Sequence, residues 1–127
     1  MTESERPAVV IAEDDDDIAQ ILSQALEGFA TPILVSNGAL VVDAVFSAGA
    51  RLLILDVRMP GASGIDVYDL VRNNEALADI AVLFVTANPD LAHETMPGRA
   101  PREVVAKPFD IDELAAKVKE LLVAVAV

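Results

Sequence analysis

Three carboxylates, a hydroxyl and an ammonium stand directly at the ends of short apolar runs in this 127-residue chain. Glu13 and Asp14 follow Ala8–Ala12, Asp56 follows Leu52–Leu55, Thr86 closes Ile80–Val85, and Lys107 follows Val104–Ala106. Carboxylates gathered in one crevice repel one another and demand a cation, and hard oxygen ligands with room for water and phosphate oxygens suit Mg2+, with Mn2+ as the alternative. With that charge neutralised, Asp56 can attack a phosphoryl group and form an acyl phosphate. A lysine ammonium and a threonine hydroxyl can then hold the phosphoryl oxygens, as phosphoryl-transfer sites require.

The elements between these residues decide whether they meet. Ala8–Ala12 (AVVIA), Leu52–Leu55 (LLIL) and Ile80–Val85 (IAVLFV) are continuous and rich in Val, Ile and Leu, the pattern of strands buried on both faces. Pro32–Val35 and Val104–Ala106 read as two further short strands. Ile18, Ile21, Leu22, Ala25 and Leu26 recur at helical spacing, with Gly28 as a stop. A helix over Ala39–Ser47 follows the chain break at Asn37-Gly38. Another runs through Ile65, Val67, Tyr68, Leu70 and Val71 after the Met59-Pro60-Gly61 turn. Asp110 and Glu113 have capping-box spacing before a last helix through Leu114, Val118, Leu121 and Leu122. Five βα units in this order imply a parallel sheet with helices on both faces, one domain over 1–127 with its core at about 8–122. In such sheets ligands bind beyond the carboxyl ends of the strands, which is where all five candidates fall.

Composition narrows the partners. Hydrophobic residues make up 54% of the chain, enough for a core, while aromatics are only 4%, too few for a stacking platform. Cysteine is absent, which excludes disulfides and thiolate chemistry. A formal net charge of −12 repels nucleic-acid backbones and anionic membranes and favours cations and basic protein surfaces. Met1–Pro7 is not a signal sequence and the apolar tail Leu121–Val127 is too short to span a bilayer, so a soluble cytoplasmic protein is expected.

The segments VVIAEDD (Val9–Asp15), LILDVRMPGASG (Leu53–Gly64), VLFVTA (Val82–Ala87) and VAKPF (Val105–Phe109), in this order, resemble the receiver domain of two-component response regulators. The resemblance covers about Ala8 to Leu122. It implies a doubly wound, flavodoxin-like (βα)5 sandwich with sheet order 2-1-3-4-5. It also implies that Glu13 and Asp14 hold Mg2+ together with Asp56 and the Arg58 backbone carbonyl. Asp56 would be the phosphoacceptor, Thr86 the switch hydroxyl and Lys107 the phosphate contact, with Lys107-Pro108 a cis bond. The implied partners are a histidine kinase or histidine phosphotransfer protein and an unidentified downstream protein. No output domain follows the last helix, so a stand-alone regulator, a monomer or weak dimer signalling through protein contacts, is expected. Enzymatic activity would be limited to Mg-dependent self-phosphorylation and autodephosphorylation.

Two positions depart from the family pattern. Val104 stands where the family has Tyr or Phe, three residues before the lysine. The stretch Asn88–Arg102, with Pro89, Pro97, Gly98 and Pro101, departs from a regular fourth helix and predicts a shortened or irregular one. Together they predict an altered output face. Arg58 and Asn88, two residues after Asp56 and Thr86, are placed to overhang the phosphoryl group, and Arg58 is expected to shield it from water.

Other readings are weaker. An acid-phosphatase-like hydrolase requires an Asp-x-Asp motif after the first strand with more support than Asp15 and Asp17 give it. A flavin module requires a hydroxyl- and glycine-rich loop where this chain has carboxylates. A calcium loop lacks its glycine. Asp16 and Asp17 read as a solvated helix start, His93 as a surface residue, and Val123–Val127 as a packed or frayed helix end. The rival that keeps the fold is a receiver-like module that binds its partner without phosphorylation.

Overall fold

The computed structural model describes residues 6–77, 80–87 and 104–126. Strand β1 (Ala8–Ala12) leads into helix α1 (Asp16–Leu26), followed by β2 (Thr31–Val35) and α2 (Val41–Ala48). Next come β3 (Leu52–Leu55), α3 (Gly64–Asn73), β4 (Ala81–Thr86), β5 (Val104–Ala106) and α4 (Ile111–Ala126). The five strands form one parallel sheet of order β2-β1-β3-β4-β5. This is the doubly wound, flavodoxin-like arrangement expected from the sequence. The irregular helix expected between β4 and β5 falls on residues outside the described ones, as do Asn88 and His93.

The strands are uniformly apolar because both faces are covered. Val9, Ile11, Leu52, Ile54, Leu83 and Val85 point to one side and pack with Leu22 and Leu26 of α1 and Leu114 and Val118 of α4. Val10, Leu53, Leu55, Val82 and Phe84 point to the other and pack with Val41 and Val45 of α2 and Val67 and Val71 of α3. Complete burial of each such side chain stabilises the fold by about 1.5–3 kcal/mol, so the central strands are its most rigid part. A rigid sheet is what a site built from strand ends needs.

Local signals set where the helices begin. Asp15 caps α1, its carboxylate accepting from the amides of Asp17 and Ile18, with Asp16 and Asp17 in the favourable first turn. Ser63 caps α3 through the amide of Asp66, and Asp110 accepts from the amide of Glu113 before α4. The expected helix over Ala39–Ser47 begins differently. Asn37 first caps a single 3-10 turn over Gly38–Leu40, and the α-helical stretch starts at Val41. It ends at Gly49, whose φ of 61° is the left-handed conformation that closes many helices.

Candidate functional site

Strand register brings the candidates to one edge. Ala12 pairs with Leu55, so Glu13 and Asp56 emerge side by side at the ends of β1 and β3. Thr86 pairs with Ala106, which sets Lys107 one step beyond the end of β4. Backbone bonds fix these exits: the Glu13 amide donates to Val35 O (3.0 Å), the Asp56 amide to Ala12 O (3.0 Å) and the Lys107 amide to Thr86 O (2.8 Å). The strand order reverses at β1, between β2 and β3, so the helices that follow diverge and leave a crevice.

That crevice is a cleft of about 500 Å3 lined by Glu13, Asp14, Asp15, Asp56, Arg58, Thr86 and Lys107, among others. Six residues singled out in the sequence therefore share it: Glu13, Asp14, Asp56, Arg58, Thr86 and Lys107. Glu13, Asp56 and Thr86 are buried, whereas Asp14 is exposed. The Lys107 ammonium reaches Glu13 Oε2 at 3.1 Å and Asp56 Oδ2 at 3.2 Å, joining the two buried carboxylates. The other Asp56 oxygen, Oδ1, accepts from the Arg58 amide at 3.2 Å. Each oxygen of Asp56 thus has its own donor, which fixes the plane of the carboxylate.

Electrostatics follow from this crowding. Burial pushes the Glu13 carboxyl up to about 7; the Asp56 carboxylate beside it adds to the rise, and Lys107 works against it. Burial by itself lowers the Lys107 ammonium, but its bonds to Glu13 and the charge on Asp56 outweigh that and hold it above its ordinary value. The crevice is therefore short of positive charge. Ligand oxygens of Glu13, Asp14 and Asp56 lie within 4.8 Å of one another, an all-oxygen donor set suited to a small hard dication.

Two other residues lie apart from the cleft. Val104 is buried, 8% exposed, in the core layer that contains Phe84 and Tyr68. Pro108 follows Lys107 through a cis peptide bond and is exposed. Sequence reasoning passed over Asp15, which both lines the cleft and caps α1; its signal was an N-cap residue just before the helical periodicity.

An open parallel sheet with an acidic, lysine-bridged cleft at its switch point defines an α/β domain of the receiver type. The chain belongs to the response regulator receiver domain family, whose model matches residues 9–119. It is 32% identical over 121 residues to the uncharacterized transcriptional regulatory protein YkoG of Bacillus subtilis, a match covering 93% of this chain and 52% of that protein. The chain thus spans about half the length of that relative. Among solved structures, a sensor protein from Polaromonas sp. JS666 superposes with a TM-score of 0.83 at 25% identity, covering 94% of this chain and 98% of that one. The response regulator TrrA of Thermotoga maritima, solved in complex with Mg2+–BeF, gives a TM-score of 0.74 at 29% identity and covers 91% and 98%. Among the described residues no helix is long and apolar enough to cross a membrane.

Proposed function

We propose that the chain is a phosphorylation-controlled receiver in which Asp56 takes a phosphoryl group from a histidine kinase or a histidine phosphotransfer protein, and which signals by binding another protein in the cytoplasm. The observation that carries this reading is the buried Asp56 carboxylate, held between Lys107 and the Arg58 amide, opening on a cleft that also holds Glu13, Asp14 and Thr86. That the Thermotoga relative was solved in complex with Mg2+–BeF supports the same metal-dependent chemistry here.

The chain's own residues divide the work. Asp56 supplies the nucleophile: a carboxylate oxygen forms the new bond to phosphorus while the bond from phosphorus to the donor imidazole breaks. Its two hydrogen bonds hold the carboxylate in the attacking orientation before the donor arrives. The Lys107 ammonium, already 3.2 Å from Asp56, pairs with a phosphoryl oxygen once the acyl phosphate forms. The Thr86 hydroxyl donates to another, which ties β4 to the modified site. Glu13, Asp14, Asp56 and the Arg58 carbonyl would hold Mg2+, with Mn2+ as a substitute. That ion neutralises charge that the carboxylates and phosphoryl oxygens would otherwise concentrate in one crevice. Arg58 at the rim slows access of water to the acyl phosphate.

The test is intact mass after incubation with acetyl phosphate and Mg2+. The wild type gains one phosphoryl group and Asp56→Asn gains none. A wild type that gains no mass and shows no metal-dependent response would leave the phosphorylation-independent binding module as the reading.

A further inference from the structure

The loop that carries Asp56 into α3 is held at two places, and only one of them lies in its own sequence. At its far end Gly64 donates its amide to Val57 O at 2.8 Å. A Cβ on Gly64 would stand 2.0 Å from Asp56 O, so the start of α3 is seated directly on the acceptor's peptide group. The tip of the loop is held from outside, by the turn between β2 and α2. The Gly38 amide donates to Pro60 O at 2.9 Å, and a Cβ on Gly38 would lie 2.0 Å from Ala62 O and 2.8 Å from Ala62 C. Gly61, at φ 87°, brings its backbone so close to Asn37 that an added Cβ would be 1.9 Å from Asn37 Oδ1. Asn37 is itself fixed, its Oδ1 accepting from the Ala39 amide at 2.8 Å.

These contacts differ in kind from ordinary packing. Gly38 meets backbone, which no change of rotamer can move aside, and Gly61 needs a φ that side-chain-bearing residues rarely adopt. The Pro60–Ala62 tip therefore has one position relative to the Asn37–Gly38 turn. Residues 57–64 are closed on themselves by the Gly64–Val57 bond, so a shift at Ala62 is passed to Arg58, whose amide holds Asp56 Oδ1.

We infer that Asn37 and Gly38 are positioning residues for phosphoryl transfer: they clamp the β3–α3 loop so that the Arg58 amide meets Asp56 before any ligand arrives. The inference rests on Asp56 being the acceptor, yet its geometric half stands apart from that reading.

The experiment compares amide exchange at Arg58 in the metal-free full chain for wild type, Gly38→Ala and Val118→Ala, with acetyl phosphate labelling of the same three proteins. Val118 of α4 is fully buried in the opposite core layer, which holds none of residues 57–64, so it reports general loss of stability. Gly38→Ala should exchange at Arg58 about tenfold faster while the β1 and β3 amides stay protected. It should also label roughly tenfold more slowly, the scale on which small misplacements act. Val118→Ala should show neither selective change. Should Gly38→Ala not fold, Asn37→Ala replaces it, expected to show a smaller change in the same direction that Asn37→Ser restores. Wild-type exchange at Arg58 in the clamp variant, or exchange there rising only in step with the strands, overturns the inference. A wild type that takes no label sinks the acceptor reading instead, while the exchange data still decide the clamp.

Discussion

Lys107 Nζ lies 3.2 Å from Asp56 Oδ2, and the same ammonium is 3.1 Å from Glu13 Oε2. One cation therefore compensates two buried carboxylates that stand at the ends of adjacent strands. Removing it would leave both acids facing one another in a low-dielectric crevice, where an unpaired charge is costly. Lys107→Ala should destabilise the metal-free protein by about 1–3 kcal/mol at pH 8. The loss should shrink at pH 5.5, where Glu13 binds a proton, and on adding Mg2+. Urea melts under the three conditions check this; equal losses in all three would contradict it.

The Glu13 carboxyl gives the site a pH dependence with a definite sign. Its folded-state value is about 7, above its ordinary 4.5, so the folded protein binds the extra proton. That contribution to metal-free stability is fully present below pH 4.5 and is lost as pH rises through about 7. A dication must displace the same proton. Mg2+ affinity should therefore fall roughly tenfold between pH 8 and pH 6, as competition at a group of this acidity requires. Glu13→Gln should bind Mg2+ more weakly and with little pH dependence over this range, measured by calorimetric titration. An unchanged slope in Glu13→Gln would place the titrating group elsewhere.

Val104 packs in the core layer with Phe84 and is not among the residues that line the cleft. Val104→Ala deletes buried methyl groups and should cost about 1–2 kcal/mol in a denaturant melt. It should leave the extent of acetyl phosphate labelling at the wild-type level, since its side chain does not line the cleft. A large drop in labelling at full folding would give Val104 a part in the chemistry that its position does not provide.

Strand ends were the legible part of this molecule. Short uninterrupted runs such as LLIL at Leu52–Leu55, too brief for a buried helix, read as strands covered on both faces, and a parallel sheet puts all their carboxyl ends at one edge. That logic, applied to residue types alone, was enough to select Glu13, Asp14, Asp56, Thr86 and Lys107. It could not give the relation between them. The bridge from Lys107 to Glu13 spans 94 positions in sequence and depends on strand register, and the raised Glu13 value depends on burial that arises only in the folded state. Asn37-Gly38 read only as a chain break, because a glycine's contact with a backbone 24 residues away leaves no periodic signal. The 3-10 turn before α2 escaped for a similar reason: its cause is the Asn37 cap, a local competition that hydrophobic periodicity does not record.

The most direct test of the account is the chemical identity of the modified residue. After labelling with acetyl phosphate and Mg2+, reduction with borohydride converts an aspartyl phosphate to homoserine, which peptide mass spectrometry locates. Homoserine is expected at position 56 and at no other acidic residue of the cleft. Homoserine at Asp14 or Asp15, or none after a confirmed mass gain, would contradict it.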